Sequence, residues 1–220
     1  MVQGRSRGAG DGGEKCALSD ELCYPRLRVA AKTKKDEASP GALSIDLRKA
    51  TEAHSISKPL LESWCEAAAV TLERFHPPQP LTSGSVRVGE SERPATLTWT
   101  GATEVMRASH ANTIDATAMG AYAVAAMVVN AACDWVVVGR THNATGADLA
   151  VLRRDDSPEE FFRLEVSGIA ESSGRTGHAK MAARLREKID QLARSNDDRP
   201  GAAVVVGFQT GRTLVAAGES

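Results

Sequence analysis

The chain has 220 residues, a length that fits one domain with appendages or two small domains. Hydrophobic residues make up 42% of it and charged residues 25%, as in a soluble protein with a substantial core. The formal net charge of −1 excludes a strong overall basic field, so binding of nucleic acid would have to rely on a local basic groove.

Residues 1–43 are rich in Gly, Lys and Asp and poor in large apolar side chains. This composition predicts a disordered leader, and the lack of an apolar stretch argues against a secretory signal. The four cysteines, Cys16, Cys23, Cys65 and Cys133, form no CxxC pair, so we expect free, reduced thiols. The sequence therefore predicts a cytoplasmic protein.

Residues 44–110 are predicted to form a helix and short strands that pack on the following domain. Apolar residues recur at helical spacing from Ser44 to Phe75, with Pro59 near a helix start. Two strand candidates follow, Ser85–Val88 and Ala95–Thr100, and the turn-like sequence GESERP separates them.

Residues 111–220 are predicted to form an α/β core that opens with a long helix over about 111–132. The stretch Ala116–Cys133 has the length of a membrane span. It contains Gly120 and Asn130 and runs directly into the strand-like WVVVG, which favours a buried helix of a soluble domain. We therefore expect no membrane contact.

The rest of the core is predicted as three strands, a helix and further strands. The predicted ranges are Asp134–Gly139, Ala147–Arg154, Phe161–Ile169, His178–Arg194, Ala202–Phe208 and Arg212–Ala217. The second and third form an antiparallel hairpin through DDSPEE, whose proline and acidic residues favour a turn. The helix is predicted to bury a stripe of apolar residues: Met181, Leu185, Ile189 and Leu192.

Two carboxylates are predicted to face each other across this hairpin. A turn centred between Asp156 and Ser157 places Asp148 opposite Glu165, with Cβ atoms about 4.5–5.5 Å apart. Two such charges repel unless they share a proton, contact a cation or hold a divalent metal. Magnesium favours one or two carboxylates together with water and phosphate oxygens, so a Mg²⁺ or Mn²⁺ site is one expectation.

This order of elements resembles the core of PD-(D/E)XK restriction-endonuclease-like proteins: helix, three strands, helix and strand. The resemblance runs from Asn112 to Ala217. It implies that Asp148 and Glu165 are the two acids of the motif and bind metal. Ser167 stands where the family carries a lysine. The fold expected is a restriction-endonuclease-like α/β core with an N-terminal helical and β extension.

A basic residue on the following helix is the predicted replacement for the missing lysine. Lys180, Arg184 and Lys188 recur every four residues there, and Gln191 follows one turn after Lys188. Lys188 is the preferred catalytic cation. Arg184, Gln191 and Ser167 are the candidate substrate contacts, while a solvated basic face is the alternative reading of the same pattern.

Two functions remain open from the sequence. One is a Mg²⁺-dependent DNA phosphodiesterase that serves restriction or anti-phage defence. The other is a catalytically degraded relative that binds DNA, a protein partner or a second copy of itself within a larger complex. An unrelated α/β protein, in which Glu165 merely pairs with Arg163, Arg184 or Lys188, is the third possibility.

Overall fold

The computed structural model describes residues 41–77, 81–141, 146–153, 161–195 and 197–218, with backbone alone for 81–83. Residues 1–40 of the predicted leader, the DDSPEE turn and two of the cysteines, Cys16 and Cys23, lie outside these ranges. The leader was predicted to extend to residue 43, but Leu43 is a buried strand residue. Over the described residues the chain is a mixed α/β protein, as predicted.

Within the described residues, eight strands form one mixed sheet in the order β1-β3-β2-β8-β7-β6-β5-β4. The strands are β1 (Leu43–Asp46), β2 (Leu81–Val88), β3 (Ser91–Thr98), β4 (Trp135–Arg140), β5 (Leu149–Arg153), β6 (Phe162–Ile169), β7 (Gly201–Gly207) and β8 (Arg212–Ala217). Strand β8 joins the two halves of the sheet, because it pairs antiparallel with β7 and parallel with β2.

Helices cover both faces of the sheet. They are α1 (Ala50–Ala53), α2 (Lys58–Leu72), α3 (Glu104–Ser109), α4 (Thr113–Cys133) and α5 (Gly174–Ala193). Helices α2 and α4 share a core with one face, where Leu164 and Val204 lie. Helix α5 packs on the opposite face, against Ala203 and Val205.

The N-terminal region differs from the prediction of helical structure beginning at Ser44. Leu43–Asp46 is a strand with alternating burial, because Leu43 and Ile45 turn into the core while Ser44 is exposed. A 3₁₀ turn at Leu47–Lys49 and the short α1 then precede α2, whose start at Lys58 places Pro59 in its first turn.

Strands β2 and β3 form an antiparallel hairpin, and β3 begins earlier than predicted. Strand β3 starts at Ser91, inside the sequence GESERP that was predicted to be a turn. The turn itself is confined to Gly89 and Glu90. Pro94 is tolerated in β3 because the pairing with β1 begins only at Ala95.

Helix α4 is the core helix predicted from its apolar sequence. Asn112 caps it by accepting from the backbone N–H of Ile114 at 3.0 Å. Among the described helices, α4 alone is long and apolar enough to cross a membrane, but most of it is buried inside the fold. That burial is what a core helix of a soluble protein requires.

The hairpin register and the buried face of the last helix are confirmed. Leu149 pairs with Leu164 and Ala150 with Arg163, which is the predicted alignment. On α5, the apolar stripe faces the sheet: Met181, Leu185 and Leu192 are buried, and the half-buried Ile189 packs on the same cluster. The helix itself begins at Gly174, four residues before its predicted start.

Candidate functional site

Asp148 lies where the pairing of β5 with β6 ends. Its backbone N–H donates to the carbonyl of Leu164 at 3.1 Å. Its side chain replaces the next backbone hydrogen bond between β5 and β6, because Oδ2 accepts from the N–H of Val166 at 2.8 Å. The carboxylate is therefore fixed beside the part of β6 that β5 leaves uncovered.

Tyr122 on α4 holds the other oxygen of this carboxylate. Its hydroxyl donates to Oδ1 of Asp148 at 2.9 Å, and its ring packs against Trp64 with the centroids 5.0 Å apart. Burial first, and the negative charge of Asp148 second, raise the pKa of Tyr122 well above its usual range. The hydroxyl thus keeps its proton and acts as a donor.

Arg140 completes this side of the site. It is the exposed last residue of β4 and pairs in register with Leu149, the residue after Asp148. Its guanidinium carbon lies 5.5 Å from the centroid of the Tyr122 ring, within the range of a cation–π contact. The sequence analysis identified neither Arg140 nor Tyr122.

Glu165 faces α5, on the side of the sheet away from α4. It is 3% exposed and pairs in register with Ala203, on the sheet face that α5 covers. Nζ of Lys188 donates to Oε1 of Glu165 at 2.5 Å and to Oε1 of Gln191 at 3.0 Å. Gln191 in turn donates to the carbonyl of Gly146 at 3.3 Å, which ties the lysine to the chain just before Asp148.

The two carboxylates influence each other directly. Burial first, and repulsion from Asp148 second, raise the pKa of Glu165 to about 7 from its ordinary value of 4.5. The ammonium group of Lys188 opposes this rise, and a hydrogen bond with Asp148 adds to it. The negative charge of Asp148 therefore acts on Glu165 across this site.

Two of the predicted substrate contacts are Arg184 and Ser167, and they differ in their position relative to this cluster. Arg184 forms an ion pair with Glu187 at 3.1 Å on the outer side of α5, so it does not contact the carboxylates. Ser167 is half-buried two residues beyond Glu165, on the same face of β6 by strand alternation. The structure thus gathers Asp148, Glu165, Lys188 and Gln191 but not Arg184.

Carboxylate oxygens are the ligands that a hard divalent cation prefers. The described residues contain no cluster of three or more His, Cys, Asp or Glu side chains that would hold a metal. The carboxylates already have donors: Tyr122 and the Val166 N–H donate to the two oxygens of Asp148, and Lys188 donates to Oε1 of Glu165. A Mg²⁺ or Mn²⁺ ion held by Asp148 and Glu165 would have to replace some of these donors.

The remaining cysteines offer no comparable chemistry. Cys65 and Cys133 are free thiols, as predicted, and burial raises the pKa of each to about 11. A thiol with so high a pKa is almost entirely protonated at neutral pH and is a poor nucleophile or metal ligand.

Comparisons with protein-family models, with curated proteins and with solved structures find no match to this chain. The carboxylate site therefore carries the information on function: it combines two acids, a largely buried lysine, a tyrosine hydroxyl and an exposed arginine.

Proposed function

We propose that the protein is a cytoplasmic Mg²⁺-dependent phosphodiesterase that cleaves DNA in restriction or anti-phage defence. The observation that carries this proposal is the meeting of Asp148, Glu165 and Lys188, since the PD-(D/E)XK resemblance requires two acids and one cation. The order α4, β4, β5, β6, α5 and β7 supports the same restriction-endonuclease-like assignment.

Each residue has a role in such a reaction. Asp148 and Glu165 would hold the cation, and Tyr122 and the Val166 N–H keep Asp148 in position. A bound Mg²⁺ supplies Lewis-acid polarisation of a phosphoryl oxygen and a bound water of lowered pKa. Lys188 stabilises the negative charge that grows on the phosphoryl oxygens.

Gln191 keeps the lysine where it is needed. The amide oxygen accepts from Nζ of Lys188, so the ammonium group retains one partner when a phosphate replaces Glu165 as the other. In hydrolysis, the water oxygen bonds to phosphorus and releases a proton to solvent, the bond from phosphorus to the leaving sugar oxygen breaks, and that oxygen takes up a proton from solvent.

A catalytically degraded nuclease-like subunit is the second candidate. It is favoured by Ser167 in the position of the family's lysine, and by the two hydrogen bonds that already engage both oxygens of Asp148. Such a protein would use the same scaffold to bind DNA, a protein partner or a second copy of the chain.

Calorimetric titration with Mn²⁺ or Mg²⁺, combined with a plasmid-nicking assay, tests the proposal. The unmodified protein should bind the ion and nick DNA, Asp148→Ala should lose both, and Lys188→Met should keep the ion and lose nicking. Asp190→Ala, which removes an exposed carboxylate from α5, should behave like the unmodified protein. Ion binding without nicking would favour the degraded subunit, and absence of both would exclude a metal-dependent enzyme.

A further inference from the structure

Arg140 is a cation beside the carboxylate site that has no counter-ion among the described residues. It is exposed at the end of β4 and forms no ion pair with another described residue. Its guanidinium group lies over the Tyr122 ring, and the hydroxyl of that ring donates to Asp148. Arg140 is therefore held at the rim of the site on the α4 side, while Lys188 lies on the α5 side.

The charges of the site leave a role for this residue. Asp148 and Glu165 carry two negative charges when both are ionised, and Lys188 compensates one of them at 2.5 Å. A phosphodiester that approached these three residues would meet a net negative charge. Arg140 removes that imbalance on the side that Lys188 does not reach.

The chemistry of the guanidinium group indicates the ligand. It is planar, permanently charged and carries five N–H donors that match two oxygens of a phosphate. The contact with the Tyr122 ring restricts the position of the guanidinium group, and the residue is exposed to solvent, where a ligand can reach it. A phosphodiester presents two non-bridging oxygens to these donors, and it is the group on which the proposed reaction acts.

We propose that Arg140 binds a backbone phosphate of the DNA strand that lies against the Asp148–Glu165 pair, with the Tyr122 ring as its support. The substrate class rests on the proposed function. The contact itself requires neither metal nor cleavage, so it can be measured separately from the reaction.

Fluorescence anisotropy with a labelled DNA oligonucleotide, single-stranded and double-stranded, in EDTA tests this contact on the full chain. Arg140→Met should weaken binding by about 5–10-fold and reduce the slope of log affinity against log salt by about one. Arg140→Lys should retain the slope and recover part of the affinity. Arg74→Met removes another exposed arginine, at the end of α2, and should change neither quantity.

Several results would overturn the inference. They are equal affinity and salt slope in Arg140→Met and Arg74→Met, or no binding of either DNA form by the unmodified protein. Circular dichroism checks that each variant is folded, and Arg140→Lys provides the test if Arg140→Met is not. Nicking in Mg²⁺ is measured separately: nicking with unchanged binding in Arg140→Met removes the inference alone, whereas Arg140-dependent binding without nicking removes the proposed enzyme activity alone.

Discussion

Nζ of Lys188 on α5 lies 2.5 Å from Oε1 of Glu165 on β6, and both side chains are largely buried, with 17% and 4% of their surfaces exposed. A cation thus reaches the second acid from the helix, while Ser167 occupies the place of a lysine on the strand. Breaking a buried pair leaves one group without its partner, so this contact affects both stability and the proposed chemistry.

Replacing the lysine should separate those two effects. In Lys188→Met, Glu165 loses its cation, and we expect a loss of about 1–3 kcal/mol in the free energy of unfolding at pH 8. Nicking should fall by about 10²–10³-fold, the usual effect of removing one charge-stabilising group. Urea denaturation and the plasmid assay measure the two, with the exposed Lys180→Met as the control on the same helix. Equal behaviour of the two variants would contradict the assignment.

Stability should depend on pH through Glu165. Its pKa is about 7 in the folded protein, above the ordinary value of 4.5, so between these values the folded state holds a proton that the unfolded state has released. The free energy of unfolding should therefore fall as the pH rises from about 5 to 7. In Glu165→Gln this decline should be smaller, as urea denaturation at a series of pH values would show. A steeper decline in the variant would show that the pKa is lowered instead.

Removing the Tyr122 hydroxyl should weaken the hold on Asp148. Tyr122→Phe deletes the donor to Oδ1 but keeps the ring on Trp64, so we expect a stability loss of about 1 kcal/mol together with weaker Mn²⁺ binding. Tyr122→Leu also removes ring packing and should cost more stability. Calorimetry and thermal unfolding give both quantities. Unchanged Mn²⁺ affinity in a folded Tyr122→Phe protein would mean that the hydroxyl does not position a metal ligand.

Moving the lysine back to the strand offers a gain-of-function test. Ser167 lies on the same face of β6 as Glu165, so Ser167→Lys in the Lys188→Met background should restore part of the nicking activity. Alone, Ser167→Lys should change activity little, because Lys188 already supplies the cation. A folded double variant as inactive as Lys188→Met would show that the strand position cannot serve the site.

The contact between β6 and α4 should tolerate no added side chain at Gly168. A Cβ atom there would lie 2.5 Å from the backbone oxygen of Thr117, so Gly168→Ala must push the helix away from the strand. We expect a loss of about 1–3 kcal/mol, measured by urea denaturation. The neighbouring Ser167→Ala is the control, and similar stability of the two variants would contradict this close approach.

The strand alternation and the turn were sufficient to predict the register of β5 on β6, because a period of two residues and the centre of a hairpin fix it. They did not predict that the Asp148 carboxylate contacts α4 while Glu165 faces α5. Lys188 followed from the phase of the apolar stripe on α5. Tyr122 and Arg140 could not be predicted in this way, since Tyr122 reaches the site through the packing of α4 on the sheet and Arg140 through the pairing of β4 with β5. The one available signal for Tyr122 was a phenol group in the apolar middle of α4.

The N-terminal error has a different physical origin. The apolar residues between Ser44 and Phe75 belong to β1, a 3₁₀ turn and two helices, and their combined spacing imitates one helical pattern. A strand of four residues, Leu43–Asp46, is too short for alternation to outweigh that pattern. Its identity depends on β3, a partner about fifty residues later in the chain.

The parallel pairing of β2 with β8 affects the order in which the sheet can form during synthesis of the chain. During synthesis, β5 and β6 can pair before β8 leaves the ribosome, whereas the hairpin of β2 and β3 must wait for β8 before it joins their sheet. Such distant pairing slows folding because a long loop has to close first. A chain cut before Arg212 would leave both β2 and β7 with open backbone edges, which are sites for aggregation between molecules.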